Sequence, residues 1–164
     1  MTRTLAALAT LIALSANAGA QDVADAESVA RAYMAAYSAV NLDAMEPLMA
    51  ANMVFDDPTA LGEGVGPDGI HRDGRDASLA MLREFITAYD PIELGFVWDT
   101  VFTSNDRVIF TGHVNALYPT ATEGQHFRWR ADQVSVITVR DGLVVHHQDF
   151  ANYAAPEQGL VPEQ

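Results

Sequence analysis

His147 and Asp149 stand two positions apart in the run Leu143-Val144-Val145-His146-His147-Gln148-Asp149-Phe150. In an extended strand, residues i and i+2 share a face, so the two side chains point the same way and can share a proton. Burial raises a carboxyl pKa and lowers that of an imidazole, which tunes both toward neutrality and suits general acid–base work. The structural alternative is a pair that only satisfies its own hydrogen bonds. His113 and Asn115 repeat the same spacing and have the same two readings. Asp57 precedes Pro58 just after Met53-Val54-Phe55. A carboxylate at a strand end serves either as a base or as a turn residue bonded to its own backbone. Tyr33 offers a phenol that is a hydrogen-bond donor in the core or simply fills it. His146 and His147 are adjacent, so a strand turns them to opposite faces and they do not easily share one ion. A two-histidine–carboxylate set of His113, His147 and Asp57 or Asp149 has no recognised metal spacing, and neither a metal nor a cofactor is expected.

These residues need elements to carry them. Val29, Tyr33, Tyr37 and Val40 recur at helical spacing, which predicts an amphipathic helix over about 25–40, stopped at Asn41. Asp43 is a candidate cap for a short second helix carrying Met45, Leu48 and Met49. Met53 to Phe55 reads as a short strand and Asp57 to Gly74 as loop. Leu79, Leu82, Phe85, Ile86 and Tyr89 mark a third helix ended by Asp90-Pro91. The period then falls to two. Strands are predicted over 92–103, 107–118, 125–140 and 143–150, with tight turns at Asn105-Asp106 and Asp141-Gly142. Helices followed by a long antiparallel meander give an α+β fold: about three N-terminal helices laid on one face of a curved sheet. Alternation groups Thr111, His113 and Asn115 on one face of their strand, and Phe127, Trp129, Ala131, Gln133, Ser135 and Ile137 on one face of the next.

The chain has 164 residues, enough for one domain with a real core. Charged residues are only 19% and the formal net charge is −13, which argues against nucleic acid and anionic membrane as partners. There is no cysteine, so thiolate chemistry, disulfides and Cys-held metals are excluded. Arg3, the apolar run Leu5 to Leu14 and the small residues ending Ala18-Gly19-Ala20 form the layout of a secretory signal. Cleavage after Ala20 is expected, with export to a periplasm or the medium. The expected organisation is a signal over 1–20, one domain over 21–153 and a tail over 154–164.

The segment Tyr33 to Pro58, the helix start Gly74-Arg75-Asp76 and the ending Val134 to Phe150 resemble the SnoaL-like branch of the nuclear transport factor 2-like superfamily. Ketosteroid isomerases and limonene-epoxide hydrolases belong to that superfamily. The resemblance spans nearly all of 25–153. It implies a cone, a curved sheet wrapped on three helices, often dimerised through the sheet. It aligns Tyr33 with the isomerases' oxyanion-hole tyrosine and Asp57 with their proton-shuttling aspartate. Their second acid, which with the tyrosine forms the oxyanion hole, is replaced here by Ser135. Against the epoxide hydrolases, Asp149 matches the catalytic aspartate and Phe55 the water-binding tyrosine. His113 and Asn115 take the place of their arginine–aspartate pair. Both comparisons imply that Asp57, His113, Asn115, Ser135, His147 and Asp149 face the concave side.

The expected function is binding of a small apolar molecule in the cone, with isomerase, cyclase or hydrolase chemistry. Asp57 or Asp149 is the expected base. His147 would set its protonation, and Tyr33 with His113 or Asn115 would steady a developing oxyanion. Phe55, Trp98, Trp129, Ser135 and Asn115 are expected to line the ligand. A homodimer through the sheet is expected, and the alternative function is a non-catalytic carrier or interaction module.

Overall fold

The computed structural model describes residues 25–62 and 65–163. The expected signal segment therefore lies outside the described residues. Helix α1 covers residues 25–38 and buries Ala26, Ala30, Tyr33, Met34 and Tyr37. It stops short of the predicted end because Val40 enters the left-handed region (φ 56°). The amides of Val40 and Asn41 then bond back to the carbonyls of Tyr37 and Ala36, which closes the helix end. Helix α2 is short, Leu42–Met45, and its cap is Asn41, whose side chain accepts from the Ala44 amide. Asp43 is thus not the cap. Pro47 lies in a single 3₁₀ turn, Glu46–Leu48, and Met49 already opens strand β1.

Strand β1 is Met49–Asp57, three times the length predicted around Phe55. The predicted loop after it contains a short strand β2, Ile70–Asp73, paired antiparallel to the end of β1. Helix α3, Arg75–Tyr89, ends at Asp90 in the left-handed conformation (φ 46°), immediately before Pro91. Strands β3 (Glu93–Ser104), β4 (Arg107–Pro119), β5 (Gln125–Arg140) and β6 (Leu143–Ala151) follow the predicted meander closely. Asp141 and Gly142 both have positive φ, as a primed hairpin turn requires.

The sheet order is β2-β1-β6-β5-β4-β3. Only β1 and β6 run parallel; the other pairs are antiparallel. The expected tail contains a seventh strand, β7, Glu157–Pro162. Its cause lies in β5, which has 16 residues. Strand β6 pairs with Gln133 to Arg140, and β7 folds back to pair with the remaining stretch, Gln125 to Arg130. An unpaired edge of polar backbone is covered in this way. Pro162 terminates the strand, where a missing N–H costs least.

The helices cover one face of the sheet. On β4, Val108, Phe110, Val114 and Ala116 are buried, and Thr111, His113 and Asn115 are only partly so. The apolar set therefore forms the concave face. Register extends this face across the sheet in two rows. One is Phe55, His147, Ile137 and Val108; the other contains Asp149, Ser135 and Phe110.

Candidate functional site

A chain of hydrogen bonds runs through the middle of the concave face. The Gln133 amide donates to Ser135 Oγ at 3.1 Å, and Ser135 Oγ donates to Asp149 Oδ1. His147 Nε2 meets the same oxygen at 2.9 Å, and Tyr33 Oη lies 3.0 Å from His147 Nδ1. Donor capacity fixes the roles. With Asp149 ionised, His147 donates from Nε2 and accepts from the Tyr33 hydroxyl at Nδ1. His147 and Tyr33 are both completely buried. The imidazole is held edge-on by three rings, Tyr33, Tyr37 and Phe55, with centroids 4.8–5.4 Å away. Burial and the Asp149 charge push the Tyr33 phenol far up, so it stays a donor.

A second network holds Asp57 at the end of β1. The Thr59 amide and hydroxyl donate to its Oδ1 at 3.1 and 2.8 Å, and the Tyr153 hydroxyl donates to Oδ2 at 2.8 Å. Thr59 Oγ1 in turn accepts from the Ala151 amide, 3.0 Å away. Asp57 therefore has the turn bonding of an aspartate at a strand end, and it is also buried. Burial pushes its carboxyl above the ordinary value, outweighing the donors, and the nearby Asp149 charge acts in the same direction. Two carboxylates from different strands thus approach one another in an apolar core.

Beside this core, a cavity of about 510 Å³ opens between α1 and β3–β4. Met34, Ser38, Phe96, Trp98 and Phe110 line it, with Arg31 at α1. Its aromatic wall leads to the buried chain: Trp98 stacks on Phe96 at 5.3 Å, and Phe96 on Tyr37 at 5.1 Å. Phe110 faces Ser135 across the strands.

The structure gathers Tyr33, Phe55, Asp57, Ser135, His147 and Asp149 into this core. Trp98 forms the cavity wall, and Trp129 packs at 5.5 Å against Tyr153, the residue that bonds Asp57. His113 and Asn115 are not part of it, which corrects the expectation that they face the cone. They lie on the convex face, opposite Asp132 and Arg130 of β5. The physical reason is burial: the alternative face of β4 carries Val108, Phe110, Val114 and Ala116, and turning these outward would expose the most apolar set. The considered pairing of His113 with His147 around a metal is broken by the same alternation.

Four participants escape a reading of the sequence as ligand-site residues. Gln133 carries a signal, since it lies two before Ser135 on the same face. Tyr37 lies one helical turn after Tyr33. Thr59 belongs to the turn after Asp57. Tyr153 has no local signal, because the contact spans 96 positions.

No curated protein matches the chain. Among solved structures, a protein from Shewanella denitrificans OS-217 provisionally named a SnoaL-like polyketide cyclase superposes with a TM-score of 0.65 at 16% identity. That match covers 79% of this chain and 91% of the other. A provisionally named isomerase from Bacillus subtilis gives 0.58 at 24% identity, covering 80% and 88%. A provisionally named ketosteroid isomerase from Kribbella flavida DSM 17836 gives 0.58 at 19%, covering 82% of each. These establish the shared fold. The sequence profile of the SnoaL-like domain matches residues 30–147, and the chain belongs to the SnoaL-like family, built as a nuclear transport factor 2-like α+β cone.

Proposed function

We propose that this protein is an exported SnoaL-like enzyme that takes a small, largely apolar molecule into the cone and rearranges it by proton transfer beside a carbonyl, without a cofactor. Isomerase and cyclase reactions share that step, and hydrolase chemistry would use the same carboxylate to activate a water instead. The observation that carries this reading is the buried chain from Tyr33 through His147 to Asp149 and Ser135. A carboxylate oriented by two donors in a dry site is a preorganised base. In this reading Asp149 is the base, and His147 and Ser135 are positioning residues that hold it. Asp57 is the second acid, available to return the proton.

Asp149→Asn keeps the shape and removes the basicity. Its expected result is loss of turnover, by about 100-fold or more, with the melting temperature retained. The assay is a panel of small ketones and epoxides, preceded by native mass spectrometry of the purified chain to identify a copurified ligand. A ligand retained equally by wild type and variant, with no turnover by either, would instead establish the carrier function. Export is tested by locating the cleaved chain after cell fractionation.

The reading also includes a homodimer through the convex face of the sheet. Val97, Phe102 and Phe150 are exposed there (48%, 50% and 36%). Register places Phe102 and Phe150 with Ile109, Val134 and Val136 in one apolar area, and Val97 beyond the Thr100–Thr111 pair, next to His113; such an area is the kind of surface that soluble proteins cover by association.

A further inference from the structure

Strand β6 falls out of step with both neighbours at one place. Its pairing with β5 goes from Thr138–His146 to Val139–Val144, which leaves Val145 over, and its pairing with β1 shifts between Met49 and Val54. A bulge of this kind bends the strands and re-aims side chains. Beside it opens a groove of about 450 Å³ that reaches Asp141 of the hairpin turn. Val54, His146, Thr138 and Arg107 form one cross-strand row in the groove. Each is the chain neighbour of a residue in the concave row Phe55, His147, Ile137 and Val108, so alternation puts the groove on the convex face, away from the buried acids. It lies beyond the apolar area of that face, one row past Ile109 and Val136.

The groove is rich in donors. Arg107 Nη1 and Arg140 Nε both donate to Asp106, at 3.0 and 2.8 Å. Two guanidinium groups on one carboxylate leave one positive charge over, with most of their N–H groups still free, in a chain where 22 acids face 9 bases. Thr138 lines the groove, is only 3% exposed, and its hydroxyl makes no hydrogen bond among the described residues. His146 donates from Nε2 to Asp56 Oδ2 at 2.6 Å, which leaves Nδ1 without a bond. Val54 and Leu143 add apolar surface, and Asp141 at the rim binds neither arginine. We infer that this groove binds the phosphate group of a small soluble ester, with Arg107, Arg140 and the Thr138 hydroxyl as donors to its oxygens and the apolar residues against its organic part. Paired guanidinium forks match the oxygens of a phosphate, and the net charge of −13 argues against a lipid surface as the source of that group.

The test is isothermal titration calorimetry with phenyl phosphate, inorganic phosphate and phenol, with thermal melting of each variant. Wild type is expected to bind phenyl phosphate more tightly than inorganic phosphate, and more tightly than phenol. The double change Arg107→Gln with Arg140→Gln is expected to weaken phenyl phosphate by about 100-fold, the worth of two charged hydrogen bonds, and to leave phenol unchanged. Thr138→Val is expected to weaken it by about five-fold without a lower melting temperature, because the hydroxyl holds nothing in the free protein. Asp141→Asn keeps a residue suited to the left-handed turn position and removes a negative charge, so binding is expected to tighten. Asp149→Asn is expected to leave the phosphate affinity unchanged, which separates this groove from the cone. Absence of phosphate binding by wild type, equal binding by the double variant, or weaker binding in Asp141→Asn would overturn the assignment. Capture of the chain by phosphatidylglycerol vesicles with no affinity for either soluble phosphate would overturn the soluble source.

Discussion

Protonation of the core depends on which oxygen each donor reaches. Asp57 shows the effect on stability. Its folded pKa is raised, chiefly by burial, against the opposing pull of Thr59 and Tyr153. The native state therefore binds this proton more tightly than the unfolded chain does. Stability falls as pH rises from the ordinary carboxyl value through the folded one, and the loss persists above it. Asp57→Asn is expected to raise the melting temperature at neutral pH and to give no gain in acid below both values. Melting curves across pH check this; a gain of equal size at every pH would point to altered hydrogen bonding instead. At this scale the sequence showed that His147 and Asp149 share a face, because two-residue spacing on a strand is a local property. It did not show that Tyr153 reaches Asp57.

Elements hold these residues through close backbone contacts and through one charged latch. Gly112 lies on the concave face of β4, opposite Trp98, where the pairing of β3 shifts register. A Cβ there would lie 2.0 Å from the Val97 carbonyl oxygen, which is backbone and cannot step aside cheaply. Gly112→Ala is expected to destabilise by about 1–3 kcal/mol, measured by chemical denaturation, because β3 must move. The latch joins β2 to the sheet. Both oxygens of Asp56 on β1 lie 2.6 Å from imidazoles, His71 of β2 and His146 of β6. Burial pushes the Asp56 carboxyl up, but the two histidines outweigh it and hold it below the ordinary value; Asp56 and Asp73 raise that of His71. The His71 contribution is complete below its ordinary imidazole value and is lost as pH rises through the folded one. The Asp56 contribution is lost only in strong acid. Amide hydrogen exchange of Ile70 to Asp73 is therefore expected to show weaker protection above the His71 titration, after correction for intrinsic exchange, and His71→Ala to remove that pH dependence.

For the molecule as a whole, the two faces of the sheet separate the two proposed roles. The concave face carries the acids, and the convex face carries the apolar area around Phe102, Ile109, Val136 and Phe150. His113, on that convex face beside Val97 and Asp132, would belong to the dimer contact rather than to the ligand. Phe102→Glu places a charge in the middle of the apolar area. Sedimentation velocity is expected to show a dimer for wild type and a monomer for this variant, each with the same melting cooperativity. A wild-type monomer at all concentrations would remove the dimer from the proposed function.

The sequence by itself determined the α+β order, the four long strands, both hairpin turns and the pairing of His147 with Asp149 on one face. Each follows from periodicity or turn chemistry within a few residues. Only the tertiary structure decided which face of β4 turns inward, that β7 closes the free half of β5, and that Tyr37, Thr59, Gln133 and Tyr153 join the acids. Alternation defines two equivalent faces, and what breaks the tie is the burial of side chains from strands and helices far apart in the chain.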